Sequence, residues 1–203
     1  MENIKQQTTI LQNTPLYQHL DFLRESIRNL RSTGSVAPSS RFLSRAIVAK
    51  IDPEQAKIVV ELGPGDGVIT RYILDRLRPD ARLIIFEINE IFVNKIRAAF
   101  DDPRLTVIHD SAETMGAHFK EMNIKNADCI VSGIPFVMLP EPLTRRIALE
   151  CRHWLRSKGR FIQFHYSPLL LGFYRRVFGS VDVEVVPLNI PPAIIVCCEK
   201  QGE

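Results

Sequence analysis

The 203-residue sequence has no apolar run of roughly 18 residues, the minimum for a helix that crosses a bilayer. Its first nine residues, Met1 to Thr9, are polar, so no apolar secretory leader is read there. Cysteine is scarce. Cys129, Cys151, Cys197 and Cys198 form no Cys-x-x-Cys pair, and a disulfide framework or structural zinc is not expected. Adjacent Cys197 and Cys198 in an extended run would face opposite ways, so all four read as reduced thiols. The five histidines, His19, His109, His118, His153 and His165, are scattered without ligand spacing, and no metal is expected. There is no internal repeat and no low-complexity linker. Location is read as cytoplasmic, or on a membrane surface facing the cytoplasm.

There is also little excess of either charge: 26 Lys and Arg against 23 Asp and Glu, a net of +3. The distribution is uneven. Residues 1–50 carry seven basic and three acidic side chains, a net of +4, leaving −1 for the rest. A basic leading segment attracts anionic partners, either a phospholipid surface or nucleic acid.

What is present is a periodic pattern. Leu16, Leu20, Leu23, Ile27 and Leu30 fall on one helical face, flanked by Arg24, Arg28 and Arg31. This predicts an amphipathic helix over 15–31, a lid over the domain or a membrane-surface segment. Thr33-Gly34-Ser35 ends it, dividing the chain into a leading segment (1–32) and a main domain (33–203). Ser39 or Ser40 caps a second helix carrying Leu43, Ile47 and Ile51. From residue 57, short apolar runs at 57–62, 82–87, 104–108, 127–132, 160–166, 181–186 and 193–199 alternate with helix-length stretches at 68–78, 90–100, 112–122, 140–157 and 169–178. Such alternation predicts an α/β fold: a seven-stranded, mostly parallel, Rossmann-like sheet with helices on both faces. The last two strands are close enough in sequence to form an antiparallel hairpin at one edge.

The strongest local signal is Glu61-Leu62-Gly63-Pro64-Gly65-Asp66-Gly67, between an apolar strand and a helix. Glycines at this bend let a ligand approach the backbone, at the strand end where open α/β sheets bind ligands. The dinucleotide fingerprint is Gly-x-Gly-x-x-Gly; here the spacing is Gly-x-Gly-x-Gly, and Glu61 would repel a pyrophosphate. A ligand with a cationic amino-acid end fits better, although a tight turn without a ligand remains an alternative. Glu-x-Gly-x-Gly-x-Gly resembles the cofactor loop of class I methyltransferases that use S-adenosylmethionine. On that resemblance Glu61, Gly63, Gly65 and Gly67 cradle the methyl donor. Glu87, with Ile88 behind it, meets the ribose hydroxyls, and Asp110-Ser111-Ala112 meets the adenine. The alternatives are a surface acid at Glu87 and a helix cap at Asp110.

The fourth strand ends Ser132-Gly133-Ile134-Pro135-Phe136. Ser132 is placed beside the donor, and Gly133, Pro135 and Phe136 toward the acceptor. Adenine-modifying methyltransferases carry Asn-Pro-Pro-Tyr or Asn-Leu-Pro-Tyr at this tip. Gly133 stands in the Asn position and Phe136 in that of the stacking Tyr, which argues against a nucleobase acceptor.

Four further stretches narrow the resemblance. They are Thr33-Gly34-Ser35-Val36-Ala37-Pro38-Ser39-Ser40, Ser132-Gly133-Ile134-Pro135, Gln163-Phe164-His165-Tyr166-Ser167 and Asn189-Ile190-Pro191-Pro192-Ala193. Together they resemble bacterial phospholipid N-methyltransferases over residues 15–199. That resemblance implies methylation of the amine of phosphatidylethanolamine or its methylated derivatives at an anionic membrane surface, with nucleic acid not expected as a partner. The family often has Arg where this chain has Leu188, so Arg41, Arg45, Arg175 and Arg176 are the candidates for lipid phosphate. Asn189 is placed in the substrate site. Tyr166, His165 and Tyr17 are the aromatic candidates for holding the amine or receiving its proton. Two other readings stay open: an RNA adenine dimethyltransferase relative, and a cofactor-binding module without catalysis.

Overall fold

The computed structural model describes residues 40–201; the helix expected at 15–31 lies outside them. Ser40 caps the first described helix, α1 (Arg41–Ala49), accepting a hydrogen bond from the Leu43 N–H at 3.2 Å. The chain then alternates as expected. β1 (Ile58–Leu62), α2 (Val68–Arg76), β2 (Arg82–Phe86), α3 (Glu90–Ala99) and β3 (Leu105–Ile108) make one half. A 3-10 turn (Ala112–Thr114) leads into α4 (Met115–Glu121), β4 (Ala127–Ser132) and a second 3-10 turn (Phe136–Met138). There follow α5 (Glu141–Trp154), β5 (Leu155–His165), α6 (Leu171–Phe178), β6 (Gly179–Val186) and β7 (Ala193–Lys200).

The seven strands form one sheet in the order β3-β2-β1-β4-β5-β7-β6. β3, β2, β1, β4 and β5 run parallel, and β7 is antiparallel to both β5 and β6. Six strands therefore share a direction, one is reversed, and the expected hairpin closes one edge. One face packs Val59, Leu83, Ile85, Val131 and Ile162 against Leu43 and Ile47 of α1, Ile69 and Ile73 of α2 and Ile96 of α3. On the other face Phe161 stacks on Phe178 and Phe136, and Phe119 meets Trp154 edge-on. The sequence pattern continues the fifth helix to residue 157, but it stops at Trp154. Arg156 is drawn onto the Asp128 carboxylate at 2.6 Å, and Leu155 pairs with Ala127. Asp128 also accepts the Lys57 and Ile58 N–H groups at 2.9 and 2.8 Å, tying the start of β1 to β4.

The thiols follow the alternation: Cys129, Cys151 and Cys198 are buried, and Cys197, facing the other way from Cys198, is half-buried. Burial raises all four thiol pKa values, which keeps them protonated and unreactive.

Candidate active site

Parallel strands bring the loops after β1, β2, β3, β4 and β5 to one edge of the sheet. The loop after β1 is a glycine turn: Gly63, Gly65 and Gly67 have φ of +63°, +62° and +79°, a region L side chains rarely adopt. Space adds to the constraint at two of them. A Cβ on Gly63 would stand 3.0 Å from the Ile134 side chain, and one on Gly67 2.8 Å from the Phe100 ring.

Three carboxyl groups stand at successive strand ends beside this turn. Glu61 is 1% exposed, and Thr70, one turn into α2, donates to its Oε2 at 2.7 Å. Burial pushes its pKa up to about 8; the Thr70 bond opposes this, and the charge of Glu87 adds to it. Glu87, also buried, accepts the Gly65 N–H on Oε2 at 3.3 Å and the Asn89 N–H on Oε1 at 2.8 Å. Ile88 turns its carbonyl to His109 Nε2 at 3.1 Å. Asp110 follows β3. Burial works against its charge, but hydrogen bonds from His118, Ser111 and Thr114 outweigh it and hold the carboxyl below its usual range. The cap of the following turn is Ser111, whose Oγ accepts the Glu113 N–H at 3.3 Å, so Asp110 is not needed as a cap. Ala112 is buried beneath it.

The tip of β4 touches this turn directly. Gly133 donates its N–H to Leu62 O at 2.8 Å, and a Cβ on Gly133 would lie 2.6 Å from the Gly63 carbonyl oxygen. Ser132 is fully buried, its Oγ accepting the Ile134 N–H at 3.3 Å. Gln163 on β5 donates from Nε2 to Ile134 O at 2.8 Å, fixing the same segment from the other side. Pro135 is half-buried.

Three residues expected on the acceptor side are enclosed. The Phe136 ring, expected against the acceptor, is 1% exposed and packs between Phe161 and Tyr174, at centroid distances of 6.2 and 6.3 Å. His165 shares the inward face of β5 with Phe161. It is buried, lies 2.8 Å from the Tyr174 hydroxyl, and desolvation lowers its pKa to about 4. An imidazole so weakly basic and so enclosed stays neutral near neutral pH. Asn189 is 2% exposed and acts as a clamp: Nδ2 donates to Pro191 O at 2.6 Å and Oδ1 accepts the Ser40 N–H at 3.4 Å, while its amide lies close enough to Tyr166 to offset part of the burial-driven rise in the phenol pKa. Three motifs distant in the chain therefore meet at Ser40, Tyr166 and Asn189.

Tyr166 is 38% exposed, and burial of the rest of its ring raises the phenol pKa. Arg41 is exposed, its guanidinium 4.9 Å over the Phe42 ring. Tyr17 lies outside the described residues. Sequence reasoning missed Thr70 and His118, the latter 2.9 Å from Asp110 Oδ2, and named Gln163 only within a motif, with no role. The signal for His118 was its place on the helix face of Met115 and Phe119.

A glycine turn with three positive φ values, flanked by carboxyl groups at three neighbouring strand ends, fits S-adenosylmethionine. The fold and the site define a class I methyltransferase dependent on that donor. The chain belongs to the ribosomal RNA adenine dimethylase family, whose model matches residues 38–159. It is 35% identical to an ornithine lipid N-methyltransferase of Singulisphaera acidiphila over 90% of this chain and 96% of that protein. To an rRNA methyltransferase of Streptomyces thermotolerans it is 29% identical over 75% of this chain, but only 47% of that longer protein. In fold it is similar to a Burkholderia thailandensis 1,6-didemethyltoxoflavin N1-methyltransferase crystallised with S-adenosylhomocysteine. That match has a TM-score of 0.69 and 14% identity, covering 92% of this chain and 90% of the other. A methyltransferase from Geobacter sulfurreducens gives a TM-score of 0.62 at 10% identity, covering 87% and 89%.

Proposed function

We propose that this enzyme transfers the methyl group to the amine of a lipid headgroup, phosphatidylethanolamine or its methylated derivatives. The observation that carries the reading is Gly133. Its missing side chain is enforced by the Gly63 carbonyl 2.6 Å from any Cβ, so this tip cannot supply the amide that would orient an adenine amine. The near full-length likeness to an ornithine lipid N-methyltransferase supports an aliphatic amine on a lipid.

The donor, when bound, supplies an electrophilic methyl on a sulfonium. The chain's task is then alignment and proton management. Glu61 and the glycine turn would hold the amino-acid end, Glu87 with Ile88 the ribose, and Asp110, Ser111 and Ala112 the adenine, with Ser132 beneath. Gly133 and Pro135, both half-buried, would border the path of the amine. Tyr166 is partly exposed, with Phe164 edge-on against its ring; such a ring can face a cation and its oxygen can accept an N–H. With His165 buried and neutral, water carries the proton away. Arg41 follows Ser40, whose N–H the Asn189 clamp accepts, and is the candidate for lipid phosphate.

One observation favours a second reading, an RNA adenine acceptor: the family model covering residues 38–159. Radiolabelled methyl transfer from the donor to phosphatidylethanolamine, ornithine lipid and RNA decides between them. Label in the lipid fraction is expected; label confined to RNA overturns the lipid reading.

A further inference from the structure

At the carboxyl edge of the sheet the acceptor half carries a set of exposed apolar side chains. Val137 and Met138 follow β4, Leu169 follows β5, and Leu188 and Ile190 join β6 to β7. Because β4, β5 and β6 run in one direction, all three connections emerge at the same edge, beside Gly133 and Tyr166. Leu169 and Ile190 are 80% and 85% exposed and Leu188 is 63% exposed. Single exposed aliphatic residues are ordinary on protein surfaces; several around one opening mark a contact surface.

The β6–β7 tip shows that this display is built. Asn189, 2% exposed, is anchored to Pro191 and Ser40. Its two neighbours, Leu188 and Ile190, are held outward as a result. A polar side chain is spent inside so that two aliphatic ones stand in water.

We propose that this rim is a membrane-docking surface, which enters the headgroup layer of an anionic phospholipid bilayer and lowers the β4–β5 opening onto the lipid amine. The proposal rests on the lipid reading above. Two features favour a bilayer over a protein partner. The apolar groups sit on three separate loop tips, and insertion into a fluid layer requires shared depth, not a complementary shape. The rim is also flanked by cations: Arg41 follows Ser40, which bonds the Asn189 clamp, and Arg45 lies one turn further along α1. Both are exposed; the exposed acid Glu141 follows Met138 on the far side.

The test uses the full chain and flotation with vesicles of phosphatidylcholine alone or mixed with phosphatidylglycerol. Leu188→Ser with Ile190→Ser, leaving Asn189 intact, is expected to weaken vesicle binding about tenfold or more, because bound area and charge both set the affinity. Ile91→Ser, at an exposed apolar residue on the other half of the edge, should leave it unchanged. Ile190→Trp should shift its fluorescence to the blue on mixed vesicles. Equal flotation of the double variant, no blue shift, or concentration-dependent self-association that the double variant abolishes would overturn the proposal. Transfer to a dispersed short-chain lipid amine separates the two readings. A double variant that keeps this transfer but loses transfer to vesicles supports the rim. If the wild type methylates no lipid in either form yet floats through Leu188 and Ile190, the lipid substrate fails and the docking surface stands.

Discussion

Glu61 sits in an apolar layer with one hydroxyl partner, and that setting governs how its charge responds to pH. The folded state keeps the proton up to about pH 8, whereas the unfolded chain releases it near the ordinary carboxylate value of about 4. The folded state therefore binds more protons between these limits, and stability falls as pH rises through that window. His165, its folded pKa lowered to about 4, acts oppositely: its contribution is lost as pH falls below about 6.5. Glu61→Gln isolates the carboxyl. In denaturant unfolding of the donor-free protein, the wild type should lose more stability than the variant as pH rises from about 5 to about 8. Donor binding follows the reverse course, since a cationic ligand favours the ionised carboxyl. Affinity by calorimetry should rise up to about tenfold per pH unit below neutrality in the wild type, with proton release that Glu61→Gln abolishes.

Gly133 gives a steric prediction at the same scale. Gly133→Asn would restore the motif of the adenine enzymes, but its Cβ meets a backbone oxygen that no rotamer change can move. Overpacking of this kind costs about 1–3 kcal/mol, and here it displaces Gly63. A lower melting temperature and weakened donor binding are expected, with no gain of RNA methylation. His118 is different because it acts through Asp110. His118→Phe should raise the KM for the donor several-fold with kcat little changed, and the fold should persist, as the ring still packs edge-on against Phe86.

At the scale of elements, Asn189 joins the α1 cap, the end of β5 and the β6–β7 connection. Asn189→Ala leaves buried groups without partners, at about 1–3 kcal/mol. Ser40→Ala removes only the cap bond to Leu43, at about 0.5–2 kcal/mol. Chemical denaturation should rank them in that order. The cap at Ser40 was legible in the sequence because Ser before an apolar-periodic stretch is a local signal. The clamp was not: Ser40 and Asn189 are 149 positions apart, and an Asn beside prolines reads equally well as a substrate contact or a turn. The early end of α5 was missed for the same reason, since Asp128, which captures Arg156, lies on another strand.

For the whole molecule, β7 is the strand on which closure depends, lying between β5 and β6. A chain ending at Pro192 would leave β5 with an unpaired edge and β6 with no neighbour among the described strands. It should lack a cooperative thermal transition, whereas a chain ending at Lys200 should keep one; calorimetry on both checks this. The order of strands and helices, the glycine turn and the strand-end acids followed from the sequence alone, because each rests on local periodicity or on a few adjacent residues. Tertiary structure decided which of the candidate groups are enclosed and which are exposed. Phe136 and His165 turned inward to the aromatic core around Tyr174, Asn189 became a clamp, and Leu188 and Ile190 were left in solvent. The physical reason is that a side chain's exposure depends on what packs against it from elsewhere in the chain, and no local pattern records that.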